Sequence, residues 1–485
     1  MHDSKQLELS IKTLCATIFL GIAGDLLLRD VAWGVGFALY SFVIAAVAGY
    51  LYRHRTVEFG KGVVWLVPPA LLFASLFAWR DSNDLKLLNG ICLILVVGVL
   101  ALRVRSGNIT VASLLDYPCR LVGRWLCFLT DFLQLASLEG QWARIGQENF
   151  GKKATSVVRG ILIAAPLLLI FAALFASSDA VFNHLISRAF SFDVGESSSH
   201  LFVLVACIWL VGGFFRRMFL AKEEPLKEGP QPLGPKLGLT EIVIVFATLN
   251  SLFLSFVAVQ FRYLFGGHSL VQSTAHLSYA EYAHQGFFEL LVVAILGLGV
   301  LVGAHSFVRS HENRDWRTFA SLALTLVTLI FVVMASAITR MQIYVQAYGI
   351  TEERLYATAI LAWLTLVFCW FCATSLRRRP ERFAAGTLAS FLFIVLGLNA
   401  MNPDGFIVRM NTSRSVAKVD GAYLGSLSED AIPDLVDALP KLSPEAKINV
   451  IKRLELEKQD MKSDDWRSWD VSSENASAAL SGIGL

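Results

Sequence analysis

The sequence predicts an all-α polytopic membrane protein with about eleven transmembrane helices, an N-terminus inside and a short helical tail outside. Three observations predict it. The 485 residues are 55% hydrophobic and 17% charged, with a mean hydropathy of +0.57, far more apolar than a soluble protein. The apolar residues come in long continuous runs, each near the roughly 20 residues that carry a helix across a hydrocarbon core about 30 Å thick. Lys and Arg, finally, cluster in alternate loops, which orients the whole set. A membrane barrel would need repeated segments of about ten alternating residues. Continuous runs leave helices as the structure that satisfies the backbone in lipid.

In chain order the runs lie near 11–28, 33–51, 63–79, 85–102, 161–175, 201–215, 239–261, 287–307, 319–338, 355–372 and 388–401. No small-residue cleavage site follows the first, so it reads as a retained helix. One set of loops carries Arg53, Arg55 and Lys61, the basic residues of 103–159, Arg216, Arg217 and Lys222, Arg309, Arg314 and Arg317, and Arg377, Arg378, Arg379 and Arg382. That set is cytoplasmic by the positive-inside rule, which puts the tail after Met401 outside. The same bias settles segment 114–135, where Arg120, Arg124 and Asp131 interrupt an apolar stretch. If it spanned, every later loop would change sides; it reads as a cytoplasmic interfacial helix, with Trp125, Leu129 and Phe132 toward lipid or protein.

The loop KEEPLKEGPQPLGPKLG, at 222–238, is charged and rich in Pro and Gly, a linker by composition. It separates a first bundle of six helices (1–221) from a second of five (239–402). Pro403 and Asp404 end the last helix. Residues 403–485 form an extracytoplasmic tail whose helical spacing predicts two or three short helices, with Ser428 and Ser443 as caps. So short a tail has little core of its own and is expected to rest on the membrane domain or a partner. The seven cysteines fall in helices or on the cytoplasmic side and imply no disulfide framework. Cys369 and Cys372, inside an apolar helix, read as small buried apolar residues.

Charges inside a bilayer are costly, so they point to function. In YAEYAHQGFFEL, Glu281, Gln285 and Glu289 share one helix face. Ser278 and Glu281 form a capping box, while Glu289 sits about two turns further in. Arg262, in FRYLFGG, stands at the same membrane face and can pair with Glu289. In RMQIYVQAYGITEERLYA, Gly349 reads as a C-cap, Thr351 as an N-cap, and Glu352 with Glu353 as first-turn acids. Arg340, Tyr344 and Tyr348 share a face that capping does not explain. Topology places Arg262, Glu281, Glu289, Arg340, Tyr344, Tyr348, Glu353 and Asp404 outside, with Asp25, Arg80 and Asp179 of the first bundle as secondary members. A shared polar site at the outer leaflet is the economical expectation, with no catalytic residue assigned.

No Walker loop, HExxH or GxSxG occurs. His268, His276 and His284 are spaced by eight and lack a metal-ligand pattern. No metal and no cofactor is called for. The basic loops are topological signals, so no nucleic acid partner is expected. FAWRDSNDLKLLN, ASSDAVFNHL, FRYLFGG with YAEYAHQGFFEL, YVQAYGITEERLYA and LNAMNPD resemble the recurring blocks of a bacterial multi-pass membrane family classed as a domain of unknown function, number 4173 in that series. The resemblance covers most of the chain from the third helix to the tail. It implies a protein of the bacterial inner membrane and supplies no activity, ligand or catalytic residue.

The favoured function is binding or transport of a small polar or ionic ligand through the external charged cluster, a reading that favours a non-enzyme and keeps an enzyme as the runner-up. One alternative is a membrane enzyme acting on a lipid-linked substrate at the outer leaflet, although the turn from Arg29 to Trp33 leaves almost no first external loop to hold a catalytic acid. Another is a sensor or scaffold whose tail meets an envelope protein. The lipid bilayer is the partner common to all three.

Overall fold

Within lipid, backbone N–H and C=O groups find partners only inside a helix, and hydroxyls on such helices turn back to the carbonyl four residues earlier. Both rules are visible here. Thr13 Oγ1 donates to Leu9 O at 2.8 Å and Thr17 Oγ1 to Thr13 O at 2.7 Å. The computed structural model describes residues 2–54, 62–103, 131–132, 134–135, 194–220, 238–265, 286–307, 313–413, 420–460 and 465–482. Every regular element among them is helical.

The apolar helices are α1 (His2–Leu28), α2 (Val35–Arg53), α3 (Val67–Ser75), α4 (Asn83–Arg103), α5 (Val194–Phe219), α6 (Leu239–Phe265), α7 (Phe287–Phe307), α8 (Asn313–Tyr348), α9 (Glu352–Thr374) and α10 (Phe383–Met401). Among the described residues, 9 are long and apolar enough to cross a membrane, each matching an expected run. The expected span at 161–175 lies outside the described residues. That at 63–79 is corrected: α3 is a short helix between two 3-10 turns, Val63–Leu66 and Leu76–Ala78, and the apolar stretch Val64–Ala78 falls short of a full span. Pro68 and Pro69 open α3, where missing N–H groups cost nothing but the preceding turn cannot continue as α-helix.

One apolar core gathers side chains from Ile242 to Phe383, around Phe319, Ile330 and Phe368; a second gathers Leu9 to Leu220. The last apolar helix, α10, belongs to both neighbourhoods. It packs on α9 and on α4, sends Leu388 and Leu392 against the second core, and is tied to α4 by a reciprocal Asn89–Asn399 amide pair at 3.0 and 2.9 Å. The linker at 222–237 lies outside the described residues. Of segment 114–135, Asp131, Phe132, Gln134 and Leu135 are described. Asp131 pairs with Arg216 at 2.9 Å and Arg217 at 3.1 Å, and Phe132 lies 5.3 Å from Trp209, so the segment ends beside the basic end of α5.

The tail departs most from expectation. It folds as α11 (Pro403–Ser413), α12 (Gly421–Gly425), α13 (Ile432–Ala438), α14 (Pro444–Asp460) and α15 (Val471–Ser481), joined by 3-10 turns. It has a core of its own, with Ile407, Val408, Ala431, Val450, Leu454 and Ala476 each fully enclosed. The helices interleave rather than lie in line, so amphipathic stripes too narrow to cover a long helix suffice. Ser443 caps α14 as expected, its Oγ accepting from Ala446 N at 3.3 Å. Ser428 does not cap; its hydroxyl goes elsewhere.

Candidate functional site

Connectivity brings the C-terminal ends of α1, α6, α8 and α10 and the N-terminal ends of α2, α4, α5, α7 and α9 to one end of the helices, where the tail sits. Those of the sequence-predicted polar residues that are described lie at this tail-side end, but they form several separate groups.

At the centre is Asp404, which is fully buried. Asn402, in the left-handed region at φ +55, stops α10, donates from Nδ2 to Asp430 O at 2.9 Å and accepts Gly405 N at 3.1 Å. That turn restarts the chain as α11 and buries Asp404 in its first turn. Oδ2 of Asp404 accepts from the backbone N–H of Ser428 at 3.3 Å and from its hydroxyl, while Oδ1 has no hydrogen-bond donor. Another acid, Glu352 at the start of α9, is near enough to interact with it, and the Asp84 charge acts on both. A carboxyl–carboxylate contact needs a shared proton or a cation. Burial holds the Asp404 carboxyl above the ordinary carboxylate range, the Ser428 hydroxyl opposing and the Asp430 charge adding.

Two tyrosines wall this group. The Tyr423 hydroxyl accepts from Glu352 N at 2.9 Å and so fills the capping role expected of Thr351, whose backbone is extended but whose side chain makes no cap bond. Burial pushes the Tyr423 phenol up to about 12. Tyr356, one turn along α9, reaches toward Ser82 and feels the charges of Asp404, Asp84 and Glu352. Asp84, in the first turn of α4, is exposed. It engages in no hydrogen bond or ion pair among the described residues.

Nearby positive charges are engaged. Arg80 donates to Asn399 O at 2.9 Å and to Asp430 Oδ1 at 3.1 Å. Asp430 also accepts the N–H groups of Asp81 and Ser82 at 3.0 and 2.9 Å and the Ser472 hydroxyl at 2.6 Å. Lys86 bridges Asp81 at 3.0 Å and Asp470 at 3.5 Å. Arg80 is thus the post on which the tail docks.

Arg340 belongs to a second group. It is 9% exposed, donates to Gln260 Oε1 at 3.0 Å, and shares that oxygen with the Ser336 hydroxyl at 2.8 Å. Gly286, at φ +103, leaves room for its guanidinium. The Tyr344 and Tyr348 rings meet at a tilt, their centroids 5.0 Å apart, and Arg354 lies 4.2 Å over the Tyr344 ring; Tyr348 and Glu353 are exposed. Gly349 closes α8 at φ +80, as its C-cap role requires. Glu289 is exposed and lies in the first turn of α7, where the helix dipole favours an acid, so it has a helix-end explanation after all. The Arg262 side chain, Glu281 and Asp179 lie outside the described residues, as do Ser278 and the three histidines at 268, 276 and 284. Asp25 forms a third group: its Oδ2 lies 2.7 Å from His200 Nδ1, and Arg29 reaches Oδ1 at 3.6 Å.

Sequence reasoning found Asp404 but assigned Glu352 and Ser428 to capping alone and passed over Asp84, Tyr356, Tyr423, Asp430 and Gln260. The available signal was Asn402-Pro403-Asp404, a left-handed stop followed by a helix-opening proline and an acid. Among the described residues no three His, Cys, Asp or Glu side chains converge as metal ligands. A family model for a domain of unknown function matches residues 67–438, and so contains α4, α9, α10 and the Asp404 turn. No curated protein and no solved structure matches the chain.

Proposed function

The chain belongs to the family of Domain of unknown function DUF4153, numbered 4153 where the sequence blocks pointed to 4173, and from that premise we propose that it is a multi-pass membrane protein that binds or transports a small polar or ionic ligand, specifically a cation. The binding groups are Asp404, Glu352 and Asp84, with Tyr356 and Tyr423 lining them. One observation carries this reading: a carboxylate with no exposure and one donorless oxygen has another acid as its neighbour, while Arg80 and Lys86 are held by other acids. A buried polar group without a partner costs about 1–3 kcal/mol, and more if charged. A proton or a bound cation removes that cost.

The bilayer side follows from charge placement. Arg53, Arg103, Arg216, Arg217, Arg314, Arg377, Arg378, Arg379 and Arg382 stand at the opposite helix ends, which by the positive-inside rule supports an extracytoplasmic site and tail; the bacterial inner membrane is what the resemblance of the sequence blocks implies. The docked tail supports a built-in cap over the site more than a free arm for an envelope partner. The test is calorimetric titration of the full-length protein in nanodiscs with ethylammonium. Binding to wild type that is lost in both Asp404→Asn and Glu352→Gln supports the proposal. Absence of binding, or equal binding to the variants, overturns it.

A further inference from the structure

The acidic group does not end in solvent alone. A cleft of about 260 Å³ runs between α4, α9 and α10, with Asp84 and Tyr356 as its polar lining and Leu87, Ala359, Ile360 and Val395 among its apolar walls. Leu87 is 64% and Ile360 41% exposed on the lipid-facing side, so the cleft opens laterally toward hydrocarbon. It is smaller than the roughly 300–1,000 Å³ pockets that enclose drug-sized ligands and suits a single alkyl chain entering from the bilayer.

Its polar lining is one-sided. Asp84 is exposed there and, among the described residues, has no hydrogen-bond or ion-pair partner; its charge acts on Glu352 and Asp404, and no described basic side chain lines the cleft. A phosphate or carboxylate head would meet only repulsion, and an uncharged head would leave the carboxylate unpaired. From this juxtaposition of a lipid-facing apolar cleft with an unpaired carboxylate at its polar end, we infer that the cation is the ammonium head of a membrane-borne amphiphile whose hydrocarbon chain lies between α4, α9 and α10. The inference rests on the cation-binding reading above and adds the chain. Lipid tails are as apolar as Leu, so the chain gains little by leaving the bilayer. Selection falls on the head, and the cleft fixes where that head sits.

Spin-labelled stearylamine in neutral-lipid nanodiscs containing the full-length protein tests this, with spin-labelled stearyl alcohol as control. Electron paramagnetic resonance reads the immobilised, protein-bound fraction. The amine is expected to associate at least about tenfold more strongly than the alcohol, a margin of 1.4 kcal/mol. Asp84→Asn should erase most of that preference, and Ala359→Phe, which fills the cleft, should reduce binding of the long amine while leaving ethylammonium binding unchanged. Equal association of amine and alcohol with wild type, or no effect of either substitution, overturns the inference. If Ala359→Phe does not fold, the amine-to-alcohol ratio on wild type and on Asp84→Asn decides. Ethylammonium binding without amine preference removes the chain and leaves the cation reading; no ethylammonium binding removes the cation reading itself.

Discussion

Single side chains divide into those that hold the structure and those left with something to bind. Arg340 is of the first kind. Its guanidinium is buried against Gln260 and Gly286, so Arg340→Ala should lower unfolding stability by about 1.5–3 kcal/mol, the range for hydrogen bonds to a charged group. Ethylammonium binding at Asp404 should be untouched. Thermal unfolding alongside calorimetry separates the two, and lost binding in a folded variant would join Arg340 to the site. Arg340 was legible in the sequence as a costly charge, but its bond to Gln260 was not, because Gln260 is uncharged and lies on a different helix. Glu429 is titratable and in the tail. Burial pushes its carboxyl up to about 7, the Ser473 hydroxyl opposing and the charges of Asp81, Glu457 and Asp470 adding. A raised folded value means the stabilising contribution is full below the unfolded value of 4.5 and is lost as pH rises through about 7. Limited proteolysis should therefore find the tail more resistant at pH 5 than at pH 8. The difference should be on the order of 1–2 kcal/mol after allowing for solvent screening of a half-buried group. Glu429→Gln should flatten that slope without removing it, since Asp404 and Asp470 are raised by burial as well. A tail more resistant at pH 8 would contradict the assignment.

Among the elements, the tail is where pattern and structure part. Its short amphipathic helices could be read from spacing, as could Ser443 as a cap. That the tail would rest on the membrane domain or a partner was expected, but the contacts by which it docks were not legible, because they depend on backbone groups that look alike in every sequence. The N–H of Val35 donates to Trp469 O at 2.8 Å and that of Gly36 to Arg467 O at 2.9 Å, while Arg467 Nη1 reaches Leu26 O at 2.8 Å. A Cβ at Gly34 would collide with the Ser468 carbonyl. Gly34→Val should therefore release the 465–469 loop and expose the tail to protease with the membrane helices still folded. Arg80→Ala should do more: Asp430 is 2% exposed, and removing one member of a buried ion pair costs about 3–5 kcal/mol. Protection of the tail in both variants would show that its docking does not rest on these contacts. The shortened α3 has a plainer cause in Pro68 and Pro69, helix breakers that the sequence shows directly.

For the whole molecule, hydropathy located the apolar helices because a hydrocarbon core imposes length and composition together. The site was legible only as an end of the molecule. Cost of burial singled out charges one at a time, and the acids that meet there, Asp84, Glu352 and Asp404, come from three segments of the chain, each in a helical first turn that already excuses an acid. What marks them is that their charges act on one another beside a buried, donorless oxygen of Asp404, and that proximity is a property of the fold. The most direct test is proton release on cation binding. Titration of the full-length protein with ethylammonium near neutral pH, in two buffers of different ionisation enthalpy, measures how many protons leave. A shared proton between Glu352 and Asp404 that a cation displaces predicts release approaching one proton per cation bound in wild type and none in Asp404→Asn. Binding with no proton release, or release that survives in Asp404→Asn, would contradict the account.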